Sequence, residues 1–188
     1  FNVDVHGIRH FPIGCRYYFH TDRVYITGGK VNNQPVNYVF VYTMKDNKLT
    51  KMSNMCHTRA YHSLIFHENL KSIMVFGGEE TGSCEMYDFY LNMWNVIPNL
   101  NVPRANSSLY IDQVGTFTYA LCGQIGLAST QVYTDCIEYL DLLDMNQSWA
   151  KIEIRNKKRY LYIMRVPKLA GGPDRGNQST GSGGAPKF

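Results

Sequence analysis

The sequence predicts an all-β chain of repeated four-stranded antiparallel sheets, closed by a basic arm of another character. Three observations predict this. Aromatic residues make up 13% of the 188 residues and charged residues only 18%, a balance that suits pleated, half-buried surfaces. A short apolar run ending in glycine occurs as Val24-Tyr25-Ile26-Thr27-Gly28-Gly29, as Ile73-Met74-Val75-Phe76-Gly77-Gly78 and as Tyr119-Ala120-Leu121-Cys122-Gly123. Apolar residues at helical spacing are not sustained anywhere, with one weak instance around Tyr139–Met145.

The runs keep a period. Gly28 and Gly77 are 49 residues apart, and Gly78 and Gly123 are 45 apart. Arg16, Arg59 and Arg104 open the units, the last two again 45 apart. A tyrosine and then an apolar anchor follow each glycine element: Tyr42 with Leu49, Tyr87-Asp88 with Trp94, and Tyr139 with Trp149. Tyr42 to Tyr87 and Leu49 to Trp94 both repeat the 45-residue step. Independent markers sharing one spacing indicate stacked repeats, each needing its neighbours to bury its faces.

Within the middle unit the strands are expected at Ala60–His67, Ser72–Phe76, Ser83–Tyr87 and Met93–Ile97. The second is apolar throughout, as a strand covered on both faces requires. Asn69-Leu70-Lys71 fits a tight hairpin, and Gln113–Gly115 serves the third unit in the same way. The glycine pair allows a positive φ and close approach of a neighbouring backbone. Tyr and Trp supply apolar area between sheets and a polar tip for a backbone partner. Four-stranded sheets covered on both faces by their like are the blades of a β-propeller.

An arginine, four hydrophobic residues with Gly-Gly, Tyr-Asp and then Trp resembles the kelch repeat. The middle unit carries the whole pattern, as Arg59, Gly77-Gly78, Tyr87-Asp88 and Trp94. The first unit has Leu49 for Trp and no Asp after Tyr42. The third has Cys122-Gly123 for Gly-Gly and a Tyr139–Trp149 stretch three residues longer. The resemblance covers Gly7 to Ile154 and implies a kelch-type β-propeller segment of about three blades over residues 1–154. Propellers close with roughly 4–8 blades, so the expectation is that the segment belongs to a longer chain.

Charge divides the sequence at the same place. Residues 1–154 sum to −3 and residues 155–188 to +7, within a net charge of +4. The second stretch carries Arg155, Lys157, Lys158, Arg159, Arg165 and Lys168, with six glycines between Gly171 and Gly184. It reads as a basic, Gly-rich extended arm that seeks an acidic surface, with RNA and tubulin tails as candidates. No apolar run reaches the roughly 18–20 residues of a membrane span, and Phe1–Asp4 starts no signal peptide, so no membrane partner is expected. Five cysteines without a CxxC suggest neither a closed disulfide set nor a zinc site. They are expected as free thiols buried like small hydrophobes, in a reducing, cytoplasmic setting.

No Walker loop, GxGxxG, GxSxG or HExxH is present. His57 and His62 flank Arg59 without an evident carboxylate, so no catalytic residue, metal or cofactor is expected. The repeat arginines are expected to hydrogen-bond carbonyls of a neighbouring blade, or alternatively to hold a ligand carboxylate. The kelch resemblance implies a partner-binding face made of loops after the arginines and after the glycines. On this sequence those are Tyr18, Tyr61 and Asn106, and Lys30, Asn32, Glu79, Glu80 and Gln124. Function is then expected to be that of a non-catalytic protein-interaction scaffold in a larger, intracellular and cytoskeletal assembly. A substrate-recognition module of a ubiquitin ligase is the alternative within the class. A galactose-oxidase-like copper oxidoreductase is the alternative outside it.

Overall fold

A computed structural model describes residues 14–126 and 132–152. The chain divides into Phe1–Asn156 and Lys157–Phe188; the first unit contains every residue described below. The basic arm from Arg155 lies outside the described residues.

Three sheets follow one another along the chain. The first pairs β1 (Arg16–His20) with β2 (Arg23–Thr27). A two-residue hairpin follows, β3 (Lys30–Val31) with β4 (Gln34–Pro35), and then β5 (Val39–Thr43) and β6 (Lys48–Lys51) complete the order β1-β2-β5-β6. The second contains β7 (Ser63–His67), β8 (Ser72–Phe76), β9 (Cys84–Asp88) and β10 (Met93–Ile97) in sequence order. The third has β11 (Ser108–Ile111) and β12 (Phe117–Leu121), then the hairpin β13 (Gln124–Ile125) with β14 (Val132–Tyr133), then β15 (Ile137–Asp141) and β16 (Ala150–Ile152). Every pairing is antiparallel. The four-stranded repeat is therefore present three times among the described residues.

The sheets stack face on face. Tyr25 and Val39 of the first meet Phe66, Ile73, Val75, Tyr87 and Trp94 of the second. Met74, Phe76 and Cys84 of the second meet Ala120, Leu140 and Trp149 of the third. Strand β8 supplies both interfaces from alternate side chains, which is why all five of its residues are buried. Each tryptophan also ties its sheet to the strap arriving from the sheet before. Trp94 Nε1 donates to Ser53 O at 3.0 Å, and Trp149 Nε1 to Pro98 O at 2.7 Å.

Register corrects several sequence expectations. Arg16 faces Thr27 just as Ser63 faces Phe76 and Ser108 faces Leu121. Arg16 thus sits on an innermost strand, four places beyond the slot of Arg59 and Arg104. Ile137 faces Leu121 as Cys84 faces Phe76, so Leu140, not Tyr139, takes the place of Tyr87. The two strand tyrosines of the first two sheets pin their outer turns, Tyr42 OH to Asn47 Oδ1 at 2.7 Å and Tyr87 OH to Asn92 Oδ1 at 2.5 Å. Leu140 offers no hydroxyl, and the turn after it is the longer one. Strand β7 begins at Ser63 rather than Ala60, because Tyr61 has φ of 56° and breaks the extended run. Strand β9 runs one residue later than expected, Cys84–Asp88. The stretch Tyr139–Met145 is strand and turn, with no helix among the described residues. The thiols are not uniformly buried either: Cys84 is, whereas Cys56 is exposed and Cys15, Cys122 and Cys136 are half-exposed.

Candidate functional site

The site is built where the straps between sheets turn into the innermost strands β1, β7 and β11. Gly14, Tyr61 and Asn106 occupy equivalent places there, all with positive φ (72°, 56° and 52°). Their backbones are linked in series: Tyr61 N–H donates to Gly14 O and Asn106 N–H to Tyr61 O, both at 2.8 Å. A bulky tyrosine in the left-handed region is strained, and the ladder holds it there.

Buried ion pairs fix the straps beneath this rim. Arg59 donates to Gly77 O at 2.8 Å, Ser83 O at 2.7 Å and Glu85 Oε1 at 2.5 Å. Glu85 also accepts the backbone N–H groups of Cys56 at 2.6 Å and His57 at 3.0 Å. The third sheet repeats the device: Arg104 donates to Cys136 O at 2.7 Å and to Glu138, which accepts Asn101 N–H at 2.7 Å and Val102 N–H at 3.1 Å. Both guanidinium groups are shut off from solvent. This corrects two expectations. The arginines bond carbonyls of their own sheet, and neither is open to a ligand. In the first sheet Phe40 stands in the glutamate's register, and the arginine's place falls at Pro12, outside the described residues.

Burial pushes the Glu85 carboxyl up, but Arg59 and the two strap N–H groups outweigh it and hold it below its usual range. Burial pushes the His62 imidazole well down, with Arg59 and Arg16 adding to the effect. His62 Nε2 lies 2.7 Å from Thr27 Oγ1 across the junction of the first two sheets. His57, expected to lack a carboxylate, has Glu85 Oε1 at 3.2 Å from its Nδ1. That carboxylate is saturated by Arg59 and the strap and is not placed to act as a base. Among the described residues, no group of three or more His, Cys, Asp and Glu side chains could hold a metal ion.

The expected interface residues fall into two groups and three outliers. Lys30 forms an ion pair with Glu79 and lies 5.6 Å from the centre of the Tyr61 ring. Asn106 Nδ2 donates to Gln124 Oε1 at 2.7 Å, and Asn106 Oδ1 accepts from Arg16. Tyr18 is not on a loop: it lies within β1, its ring stacked 5.7 Å from Phe66. Its placement after Arg16 carried the register error with it. Asn32 is exposed in the β3–β4 turn, where Asn32 and Asn33 both have positive φ, the conformation of a tight type I′ hairpin. Glu80 is exposed beside Glu79.

Arg16, like Tyr18 and Tyr139, is a residue that the sequence placed wrongly. With Ser63, Leu64, Asn106, Ser107 and Leu109 it lines a cavity of about 280 Å³ between the innermost strands. Glu85 and Glu138 were missed altogether. Their signal was available, since Glu85-Met86-Tyr87-Asp88 and Glu138-Tyr139-Leu140-Asp141 share Glu-x-x-Asp.

No family model matches the chain. Curated proteins do. Kelch-like protein 41a of Danio rerio is 33% identical over 104 residues, 53% of this chain and 17% of that protein. Kelch-like protein 41b of the same fish is 28% identical over 109 residues, 55% of this chain and 17% of the relative. A RING finger domain and kelch repeat-containing protein of Dictyostelium discoideum is 27% identical over 103 residues, 53% of this chain and 10% of its own length. The matched stretch thus spans only 10–17% of the length of these relatives.

Proposed function

We propose that this partial propeller of kelch repeats, similar over about half its length to curated kelch proteins, is a protein-interaction module that acts as a non-catalytic scaffold within a larger intracellular, cytoskeletal assembly. The observation that carries this reading is the rim at Tyr61 and Asn106. A strained backbone ladder and two buried ion pairs hold side chains of mixed chemistry in fixed positions, and loops on a rigid frame are how stacked sheets recognise partners. Lys30, Tyr61 and Glu79 form one contact group and Asn106 with Gln124 the other. Aromatic and amide groups of this kind favour a protein surface. The basic stretch from Arg155 to Lys168 is a second contact, for an acidic surface such as a tubulin tail.

Recognition of substrates for a ubiquitin ligase is the second reading. Its support is that one relative joins kelch repeats to a RING finger domain. A copper-dependent oxidoreductase finds no support among the described residues, which bring together no ligand cluster.

The test is site-directed photo-cross-linking in cell extract, with the full chain carrying a photoreactive residue at position 61 or, as control, at Lys48 on an outer strand. A protein captured from position 61 and not from 48, its capture abolished by Asn106→Ala, supports the rim. Capture from 48 alone overturns it.

A further inference from the structure

At the end of the strands away from Tyr61 and Asn106, the second and third sheets make the turns β7–β8, β9–β10, β11–β12 and β15–β16. An acidic residue stands at the entrance of each, and an exposed apolar residue follows it two places later. The pairs are Glu68 with Leu70, Asp88 with Tyr90, Asp112 with Val114 and Asp141 with Leu143. The aspartates have a local reason, because a carboxylate there can accept the N–H groups of its own turn. Asp88 Oδ1 accepts Tyr90 N–H at 2.7 Å and Leu91 N–H at 2.9 Å, Asp112 Oδ1 accepts Thr116 N–H at 2.7 Å, and Asp141 Oδ1 accepts Leu143 N–H at 2.8 Å. The apolar residues have no such reason. Leu70 is 45% exposed, Tyr90 94%, Leu91 58%, Val114 70% and Leu143 80%, and all lie outside both cores. A polar residue would serve these turns as well. The first sheet has Lys45 in the register where the second has Tyr90.

The turns are held in place before any partner arrives. Buried His67 accepts Leu70 N–H at Nδ1 and so donates from Nε2 to Gly115 O, both at 3.0 Å. Asn69 Nδ2 donates to Val114 O at 2.9 Å, which fixes the same two turns to each other. Leu142 N–H donates to Thr116 O at 2.8 Å, joining the turns of the third sheet. In the β9–β10 turn the Phe89 ring packs 4.7 Å from Tyr87 and 5.7 Å from Tyr25. Little ordering is left for binding to impose. Charge selects the partner. Glu68, Asp88, Asp112, Asp141 and Asp144 stand along these turns against Lys71 alone, five carboxylates to one ammonium. Lys71 itself is 3.3 Å from Glu68, and His20 of the first sheet is 3.9 Å from it. That sign repels nucleic acid and anionic lipid and attracts a basic partner. Exposed apolar groups rimmed by polar ones mark a protein contact. Stacked sheets lie about 10 Å apart, and seven residues of α-helix rise about 10.5 Å. Side chains at i and i+7 of a helix laid across the strand ends therefore reach both sheets.

We propose that these four turns form a second docking surface, which takes a basic amphipathic helix of a protein partner. Apolar side chains of that helix rest on Leu70, Tyr90, Leu91, Val114 and Leu143. Its lysine or arginine stems cover further apolar surface while their charged ends reach the carboxylates at the turn entrances. This surface lies at the opposite end of the strands from the rim at Tyr61 and is independent of it.

The test uses the full chain labelled with nitrogen-15 and follows its backbone amides by NMR. The probe is an amphipathic leucine–lysine helix of about 14 residues, long enough to hold its turns. The comparison probes are the same peptide with glutamate for lysine, the same with serine for leucine, and a peptide of residues 155–168. Phosphatidylcholine vesicles containing phosphatidylserine and a short oligouridylate complete the set. Saturable shifts are expected at Leu70, Leu91, Val114 and Leu143 with the leucine–lysine helix. The glutamate and serine forms should bind at least about tenfold more weakly. Leu91→Ser combined with Leu143→Ser should weaken binding by about tenfold and, at such exposed positions, leave the thermal midpoint near that of wild type. Glu68→Lys should weaken it by roughly threefold. Equal binding of the glutamate or serine form, undiminished binding by either variant, or shifts confined to other residues overturns the proposal. Binding of vesicles, oligouridylate or the 155–168 peptide at these turns about tenfold tighter than the helix also overturns it. So do shifts at these turns on concentrating the chain alone, which would identify a second copy as the occupant. If the double variant does not fold, the wild-type comparison of the leucine with the serine form decides.

Discussion

Glu85 holds Arg59 at 2.5 Å while accepting the backbone N–H groups of Cys56 and His57. One carboxylate therefore ties the incoming strap to the sheet that follows it. The same atoms recur at Glu138 and Arg104, one repeat later. Such a pair is not in itself a large source of stability, because both ions must leave water. Its worth lies in placing Tyr61 and Asn106, which follow the arginines by two residues.

Removing one member should therefore be costly. Glu138→Gln leaves a guanidinium buried without its counter-charge, and a loss of about 3–5 kcal/mol is expected in urea denaturation. The double replacement Arg104→Met with Glu138→Phe should lie closer to wild type than either single change. The first sheet already carries Phe40 in the glutamate register. Single variants within about 1 kcal/mol of wild type would show the pair to be dispensable.

Acid should loosen the junction between the first two sheets before it affects the carboxylates. His62 is fully buried and its folded pKa is depressed below the usual 6.5 by burial, then by Arg59 and Arg16. The unfolded chain then takes up the proton first as pH falls. The stability tied to neutral His62 is complete above about pH 6.5 and is lost below it. Glu85, also depressed, contributes stability that is lost only as pH falls through and below the usual 4.5. Between pH 6.5 and 5 the decline in thermal midpoint should belong to His62, and His62→Gln should flatten it. An unchanged slope in that variant would locate the sensitivity elsewhere.

The period was legible in the sequence because glycine, tyrosine and tryptophan each do a job no other residue does well. Gly28, Gly77, Trp94 and Trp149 fall at equivalent places in successive sheets. Arginine misled because it serves two purposes here. Arg59 and Arg104 are strap residues, whereas Arg16 lies on a strand, and only cross-strand pairing with Thr27 distinguishes them. Tyr139 misled similarly, since a one-residue slip exchanges the two faces of a strand. The Lys30–Glu79 pair joins loops of different sheets, and such contacts have no local sequence signal. The cavity beside Arg16 also depends on three strands drawn from three repeats.

The first glycine of each pair should be intolerant of a side chain. Gly77 has φ of 61°, and a Cβ there would press into Arg104 O; Gly28 stands in the same relation to Arg59 O. Gly77→Ala should destabilise by at least about 1–2 kcal/mol from the left-handed backbone alone, with the collision adding to it. Cys122 occupies the same register with φ of 54°. Cys122→Gly should accordingly stabilise the chain by about 1 kcal/mol. Calorimetry of the two variants checks both signs, and a stabilised Gly77→Ala would contradict the proposed junction.

Tyr61 allows the rim's contribution to recognition to be separated from its contribution to folding. Replacement by alanine would keep the positive φ and its strain, confounding the two. Tyr61→Gly removes the ring while suiting the backbone, and the bonds of Tyr61 N–H to Gly14 O and of Tyr61 O to Asn106 N–H stay available. Loss of the ring removes the Lys30 contact, worth about 0.5–1 kcal/mol where exposed, and relief of the strained φ offsets part of that. The thermal midpoint should therefore move little. Affinity for a partner captured through the rim should fall much further, by roughly tenfold or more if the ring is an anchor. Isothermal titration beside a melting curve reads both quantities. A large drop in midpoint with unchanged affinity would make Tyr61 a structural residue and shift the recognition surface toward Asn106 and Gln124.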